Sequence, residues 1–186
     1  MMDYKNYKAF FEKNIIESDR LYLRPVLYSD LDDYNEIATQ KNVGEMAGWK
    51  RHRNFSQSMD IINQMIEFGE TIAVVEKENN KMIGFISLER FDECVENKLL
   101  DGYNLGFVLN RHYWNKGYMT EALESLLDII FNIDSMSYIF AQHLLNNDRS
   151  ERLLKSLKFK YIDERISDVD GIKSRIKFYI YENKGL

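Results

Sequence analysis

The chain has 186 residues, 45% hydrophobic and 13% aromatic, enough to fill one core without requiring a second domain. Its formal charge of -5 argues against a nucleic-acid groove, which needs a clustered basic face to replace counterions, and suits a cationic or amine partner better. One cysteine excludes an internal disulfide, and with no apolar run long enough to span a bilayer and no signal pattern at the charged N-terminus, the chain reads as cytoplasmic, with no membrane partner.

Residues 1–18 read as a helical appendage in which Tyr4, Tyr7, Phe11 and Ile15 share one stripe, suited to packing on the body of the fold or on a partner chain. Residues 19–183 read as a single domain. A first strand near 19–26 ends at Pro25, the only proline, and the helical patterns that follow fall at about 29–39 and 56–68. Between them Ala47-Gly48-Trp49-Lys50-Arg51-His52 reads as an aromatic, basic loop. Strands at about 71–77 and 81–90 are joined by the Glu78-Asn79-Asn80 turn signal, and another strand lies near 104–110. After a helix at about 117–131 come a strand near 137–143, a helix near 148–157, and strands near 159–165 and 172–181 separated by Asp168-Val169-Asp170-Gly171. The pattern is α/β (α+β): a mixed sheet of about seven strands flanked by helices.

The most informative stretch is Trp114-Asn115-Lys116-Gly117-Tyr118-Met119-Thr120-Glu121-Ala122. A short apolar strand precedes it, and Met119, Ala122, Leu123, Leu126, Leu127, Ile130 and Phe131 recur after it at helical spacing. Gly117 lets backbone approach a ligand, and the first-turn N–H groups lack intrahelical partners, so a pyrophosphate there is held by amides and helix dipole together. Neither a nucleotide P-loop nor GxGxxG is present.

Four stretches in this order resemble the GNAT superfamily of N-acetyltransferases, and within it the RimJ/RimL-like proteins that acetylate N-termini of ribosomal proteins and other amines. They are Asp19 to Val26 with the acidic helix start at Ser29 to Asp33; Lys81-Met82-Ile83-Gly84-Phe85-Ile86-Ser87-Leu88; Trp114 to Ala122; and Asn147-Asp148-Arg149-Ser150 through Leu157-Lys158-Phe159. The resemblance implies two central parallel strands, here about 104–110 and 137–143, splayed to admit the acyl arm of acetyl-CoA. It implies cofactor contacts from Phe107 and Leu109 on the strand, from Trp114, Asn115, Lys116, Gly117, Tyr118, Met119 and Thr120 at the loop, and from Asn147.

Four positions depart from the family pattern, the first being Trp114, which replaces Gln or Arg as is common in this subgroup. Met119 replaces a small residue and is expected to narrow the phosphate pocket. Lys158 replaces a helix-ending glycine, at a cost of about 1 kcal/mol. Leu154 stands where many members carry the tyrosine that protonates the leaving thiolate. Ser150 is then the nearest polar candidate for that sulfur, although Asn147 and Ser150 also read as local helix capping.

Glu89 reads either as a base relaying a proton through water or as an exposed strand end. Trp49 reads as a flank for an incoming acceptor or as a packing anchor. Cys94, the only thiol, lies among Asp92, Glu93 and Glu96, whose charges make it a poor nucleophile, so direct attack by the amine is expected. His52 reads as surface, His112 as loop and His143 as strand end, without metal-ligand spacing. The expected activity is acetyl transfer from acetyl-CoA to a primary amine, either a protein N-terminus or a small molecule, by a monomer or homodimer. The alternative is a non-catalytic acyl-CoA-binding or regulatory module of the same fold.

Overall fold

The computed structural model describes residues 10, 11, 13–133, 137–169 and 171–182. Eight strands form one sheet in the order β1-β2-β3-β4-β5-β6-β8-β7: β1 (Ile16–Glu17), β2 (Leu21–Pro25), β3 (Thr71–Glu76), β4 (Lys81–Val95), β5 (Lys98–Leu109), β6 (Tyr138–Leu144), β7 (Lys160–Val169) and β8 (Ile172–Glu182). Helices α1 (Leu31–Thr39), α2 (Gly44–Ala47) and α3 (Phe55–Phe68) connect β2 to β3; α4 (Tyr118–Ile133) connects β5 to β6, and α5 (Asp148–Ser156) connects β6 to β7. The sheet is mixed because β5 and β6 run parallel while every other neighbouring pair is antiparallel.

The helices cover both faces of the sheet. Leu123, Leu126 and Ile130 of α4 bury the face carrying Leu105, Ile139 and Tyr179, while Ile37 of α1 and Ile62 of α3 bury the face carrying Ala73, Phe85 and Val108. Beneath α1, Arg24 forks onto both oxygens of Asp30 at 2.7 Å, and Asp30 also accepts from the Leu27 N–H, so this buried carboxylate is fully partnered.

The expected elements appear with several corrections. The eighth strand is β1, where Ile16 pairs with Leu23, so residues 16–17 leave the helical register assigned to them. Ile16 is 5% exposed and Ile15 57%, because alternation in a strand selects the neighbour of the residue a helical stripe would bury. Phe11 joins the core as expected, and Tyr4 and Tyr7 lie outside the described residues. The 47–52 loop is preceded by the one-turn helix α2, which ends at Gly48 with φ 89°.

The strands expected at 81–90 and 104–110 continue into a long arm, β4 to Val95 and β5 back from Lys98, turning through Glu96 and Asn97 with φ 51° and 63°. Positive φ at both turn residues matches the twist of the hairpin strands. The charges of Asp92, Glu93 and Glu96 conceal a period of two in which Phe91 and Leu100 pack on Phe140 and Phe178. Arg165 of β7 fastens the arm, with one nitrogen 2.9 Å from Glu93 and its guanidinium 4.2 Å from the Phe178 ring centroid. Lys158 occupies the left-handed conformation at φ 67° that a glycine usually fills, and the Phe159 N–H closes the end of α5 on the Leu154 carbonyl at 2.9 Å.

Candidate active site

The parallel ladder between β5 and β6 runs from Gly102 opposite Tyr138 to Leu105 opposite Ala141 and stops. Beyond it, β5 remains paired with β4 as far as Leu109, and β6 remains paired with β8 as far as Leu144. Each strand follows its other neighbour, so the two diverge and open a cavity of about 770 Å³. At the closed end the strands touch: a Cβ on Gly102 would lie 2.3 Å from the Tyr138 carbonyl oxygen.

The open end meets the loop after β5. Asn110, fully buried, caps the turn at Arg111–Tyr113 by accepting from the His112 N–H, and its Oδ1 also takes a hydrogen bond from Gln40. Asn115 and Gly117 both take positive φ, 59° and 79°, and α4 begins at Tyr118 with its first N–H groups free of intrahelical partners. Trp114, Asn115, Gly117, Tyr118, Met119 and Thr120 line the cavity. Lys116 does not; its ammonium stands 5.4 Å from the Tyr113 ring centroid and its carbonyl accepts from Arg20 at 3.0 Å. Met119 lines the cavity while 94% of its surface is covered, so much of its bulk lies in the core under α4. Phe107 and Leu109 line the β5 side, and the Leu109 carbonyl takes a hydrogen bond from the Trp114 indole at 2.8 Å.

Two carboxylates brace the loop from behind. Glu121 accepts from the Ser18 hydroxyl, the Arg20 N–H and Arg20 Nε, and the Arg20 guanidinium lies 4.2 Å from the Tyr118 ring centroid. Burial would raise the Glu121 carboxyl, but those hydrogen bonds outweigh it and hold the pKa below the usual range. Glu76, only 5% exposed, accepts from the phenols of Tyr118 at 2.7 Å and Tyr113 at 3.2 Å and from Asn79. Burial pushes the Glu76 carboxyl up, and the three hydrogen bonds pull it further down. Both tyrosines line the cavity, yet their hydroxyl protons are directed to Glu76 and their own pKa values are raised. Neither phenol is free to serve as an acid.

The α5 wall holds Asn147, Arg149 and Ser150. Asn147 caps the helix by accepting from the Ser150 N–H at 3.2 Å, and its amide nitrogen donates to the Met46 carbonyl at 3.0 Å. The Ser150 hydroxyl makes no hydrogen bond among the described residues and borders the cavity. Leu154 is fully buried in the core. Arg149 stands 3.8 Å over the Trp114 ring, a contact between residues 35 positions apart that no local spacing reveals.

At the far end, Val43, Met46, Gly48 and Trp49 form a roof over Phe85, Ser87 and Gly106. Trp49 is half-buried, packs with the α1 and α3 core, and lies so close to Gly44 that a Cβ there would be 2.5 Å from its ring. It therefore packs and lines the cavity at once. Glu89 shares the strand face of Ser87 but is exposed and outside the cavity wall, and its charge adds to burial in raising the carboxyl of Glu70.

His52 departs from its expected surface setting, while His112 falls in the loop and His143 at the strand end expected of them. His52 is half-buried, with Nδ1 2.9 Å from the Ser58 hydroxyl, and His143 is 5% exposed within β6 and lines the cavity. A carbonyl can only accept, so His143 Nδ1 donates to Leu144 at 2.8 Å and its bare Nε2 faces the Tyr179 hydroxyl. Burial holds the pKa of both imidazoles down. His112 lies exposed in the turn after β5, and Cys94 is exposed on the arm. Among the described residues, no group of three or more His, Cys, Asp or Glu side chains could hold a metal ion, and no helix is long and apolar enough to cross a membrane.

The chain and its fold are similar to known proteins. The chain is 25% identical over 164 residues to the uncharacterized N-acetyltransferase p20 of Bacillus licheniformis, covering 86% of this chain and 89% of that one. Its fold matches the ribosomal-protein-S5-alanine acetyltransferase of Vibrio fischeri with TM-score 0.72 and 20% identity, over 92% of this chain and 98% of that one. It matches the microcin C7 self-immunity acetyltransferase MccE, whose structure is a complex with acetyl-CoA and AMP, with TM-score 0.72 and 16% identity over 89% and 94%. The acetyltransferase (GNAT) domain matches residues 20–160, which takes in β2, the parted pair, the loop and α5, and the chain is an acetyltransferase of the GNAT family.

Proposed function

We propose that the chain transfers acetyl from acetyl-CoA directly to a primary amine, in the manner of the RimJ/RimL-like N-acetyltransferases. The observation that carries this reading is the alignment of three features: the divergence of β5 and β6 after Leu105, the positive-φ loop at Asn115 and Gly117, and the start of α4. An extended acyl arm with a pyrophosphate at one end fits that shape. Fold likeness to the S5-alanine acetyltransferase supports the subgroup, and the MccE complex supports the cofactor.

When bound, acetyl-CoA supplies an activated acetyl thioester. The N–H groups at Gly117, Tyr118, Met119 and Thr120 would hold its pyrophosphate, the first-turn donors reinforced by the helix dipole. Asn115 and Trp114 would shape that pocket, and Phe107 and Leu109 would offer strand backbone to the pantetheine, with the Leu109 carbonyl already engaged by Trp114. Ser150, with its free hydroxyl on the wall, would donate a hydrogen bond to the departing sulfur. The acceptor would enter under Trp49. A substrate α-amine, with a pKa near 8, is partly neutral at physiological pH, so water, or a relay through water to Glu89 outside the cavity wall, suffices to remove its proton. Cys94 lies on the arm, outside the cavity wall, a placement that supports direct transfer over an acetyl-enzyme.

The second reading, a non-catalytic binder of acyl-CoA, is favoured by the absence of a free phenol: Leu154 is in the core, and Tyr113 and Tyr118 serve Glu76. A panel assay of free thiol release separates the two, with peptide N-termini, lysine side chains, polyamines and aminoglycosides as acceptor classes. Turnover with one class establishes the enzyme and its acceptor; a thermal shift with acetyl-CoA but no turnover with any class supports the binder, and no shift overturns both.

A further inference from the structure

We infer that Asn147 is a positioning residue that fastens the acceptor-side roof to the helix on the cofactor side. The inference rests on the proposed function for the roles of those two sides, while the contact itself stands on the geometry. Asn147 ends two helices at once. Its Oδ1 accepts the N–H of Ser150, an unpartnered donor of the first turn of α5, and its Nδ2 donates to the carbonyl of Met46 in the last turn of α2. The two residues joined by the second bond are 101 positions apart.

The orientation of the amide is determined by its neighbours. A backbone N–H can only donate and a carbonyl can only accept, so rotating the amide by half a turn would break both bonds together. One N–H and one oxygen lone pair of the amide are therefore committed within the protein, which leaves one of each for a ligand. The roof packs on the α1 and α3 core through Val43 and Trp49, but α2 is a single turn of four residues, too short for independent stability, and closes by Ala47 N–H on Val43 at 3.2 Å and Trp49 N–H on Gly44 at 2.9 Å. Met46 and Trp49 of this turn line the same cavity as Ser150. The Asn147 side chain thus ties the roof to the helix that carries Ser150.

Replacement by aspartate or serine separates the two functions of this side chain. Asn147→Asp keeps an oxygen for the Ser150 N–H and places a second oxygen against the Met46 carbonyl; Asn147→Ser keeps a capping hydroxyl and loses the reach. Hydrogen exchange of the unliganded variants should show amides 43–49 exchanging at least tenfold faster than in the parent, with amides 151–156 within twofold. Unchanged exchange at 43–49, or equal acceleration of both segments, would show a helix cap and nothing more, and would overturn the inference. With an acceptor that gives thiol release, Asn147→Ser should raise the acceptor KM at least fivefold, a larger change than in the acetyl-CoA Kd. A weakened acetyl-CoA Kd with unchanged acceptor KM overturns it as well. Absence of acetyl-CoA binding by the parent protein in calorimetry would remove the proposed function, and the exchange comparison would still decide the role of Asn147.

Discussion

The two ends of the cavity are built in opposite ways. At the loop end the groups proposed to meet a ligand are main-chain N–H donors, and the loop is braced from behind by Arg20, Glu121 and Glu76. At the roof end the groups are side chains, Trp49, Met46, Ser87 and Gln142, supplied by elements far apart in the chain. Backbone geometry tolerates change in most neighbouring side chains and fails at the one residue whose conformation it requires. A wall of side chains instead changes piecemeal, and with it the acceptor that fits.

The largest effect is expected at the loop end. Gly117→Val forces a β-branched residue to φ 79°, a strain of about 1–2 kcal/mol, while an added Cβ would be 3.5 Å from Arg20, an ordinary contact. Calorimetry should show acetyl-CoA binding weakened at least tenfold with the melting temperature little changed; unaltered affinity would remove the loop from the binding site. Gly44→Ala tests the other end by driving a Cβ into the Trp49 ring, at about 1–3 kcal/mol of stability. The acceptor KM should rise while the acetyl-CoA Kd holds, and a change in both would erase the distinction between the ends. Ser150→Ala lies between them and should lower kcat about tenfold with little effect on acetyl-CoA affinity, since a bond to departing sulfur matters chiefly in the transition state. Equal kcat would leave Ser150 as a capping partner alone.

Titration should separate the ends in the same way. The carboxyls of Glu76 and Glu121 behind the loop are held below the ordinary value of 4.5, and that of Glu151 in α5 is drawn down to about 2 by hydrogen bonds from Lys155 and Lys177. A carboxyl more acidic in the folded chain stabilises it when ionised, a contribution complete above about pH 4.5 and lost as pH falls toward the folded value. Melting temperature should therefore decline below about pH 4.5 and continue falling toward about pH 2. Glu70 near the rim is shifted upward, by burial and by the charge of Glu89, so its ionisation opposes folding and its neutralisation partly offsets that decline. Glu76→Gln and Glu121→Gln should flatten the acid limb, and an unchanged limb would show that the braces do not support the loop. The smallest effect is expected from Cys94→Ser: on the exposed arm it should leave turnover near normal, whereas lost activity together with an acetylated protein trapped without acceptor would reverse the direct mechanism.

The same contrast explains what could be read from the residues in order. Gly117 followed by apolar residues at helical spacing announces the loop end, because a local turn and a local helix build it. Asn147 could be assigned as a cap from its place before Ser150, but its bond to Met46 crosses 101 positions and has no local signal. Arg149 over Trp114 and Arg165 on Glu93 are hidden for the same reason. The arm was concealed by composition: its charged outer positions mask the alternation that buries Phe91 and Leu100. Glu89 illustrates the converse, since period two correctly places it on the face of Ser87 but not how far the cavity extends along that face.

The parallel contact between β5 and β6 spans only four register pairs, and it is the only non-antiparallel junction in the described sheet. On one side of it lie β1 to β5, drawn from residues 16–109, and on the other β6 to β8, from residues 138–182. The chain is thus two contiguous half-sheets joined at a narrow seam and bridged by α4. Each half holds its own ladders, and the two share one core in which Leu23 and Ile72 of the first half meet Ile139 and Tyr179 of the second. Fragments divided after Leu109, in the connection to α4, should reassociate through the seam and the α4 core, and the reassembled protein should recover the cavity only when both halves are present.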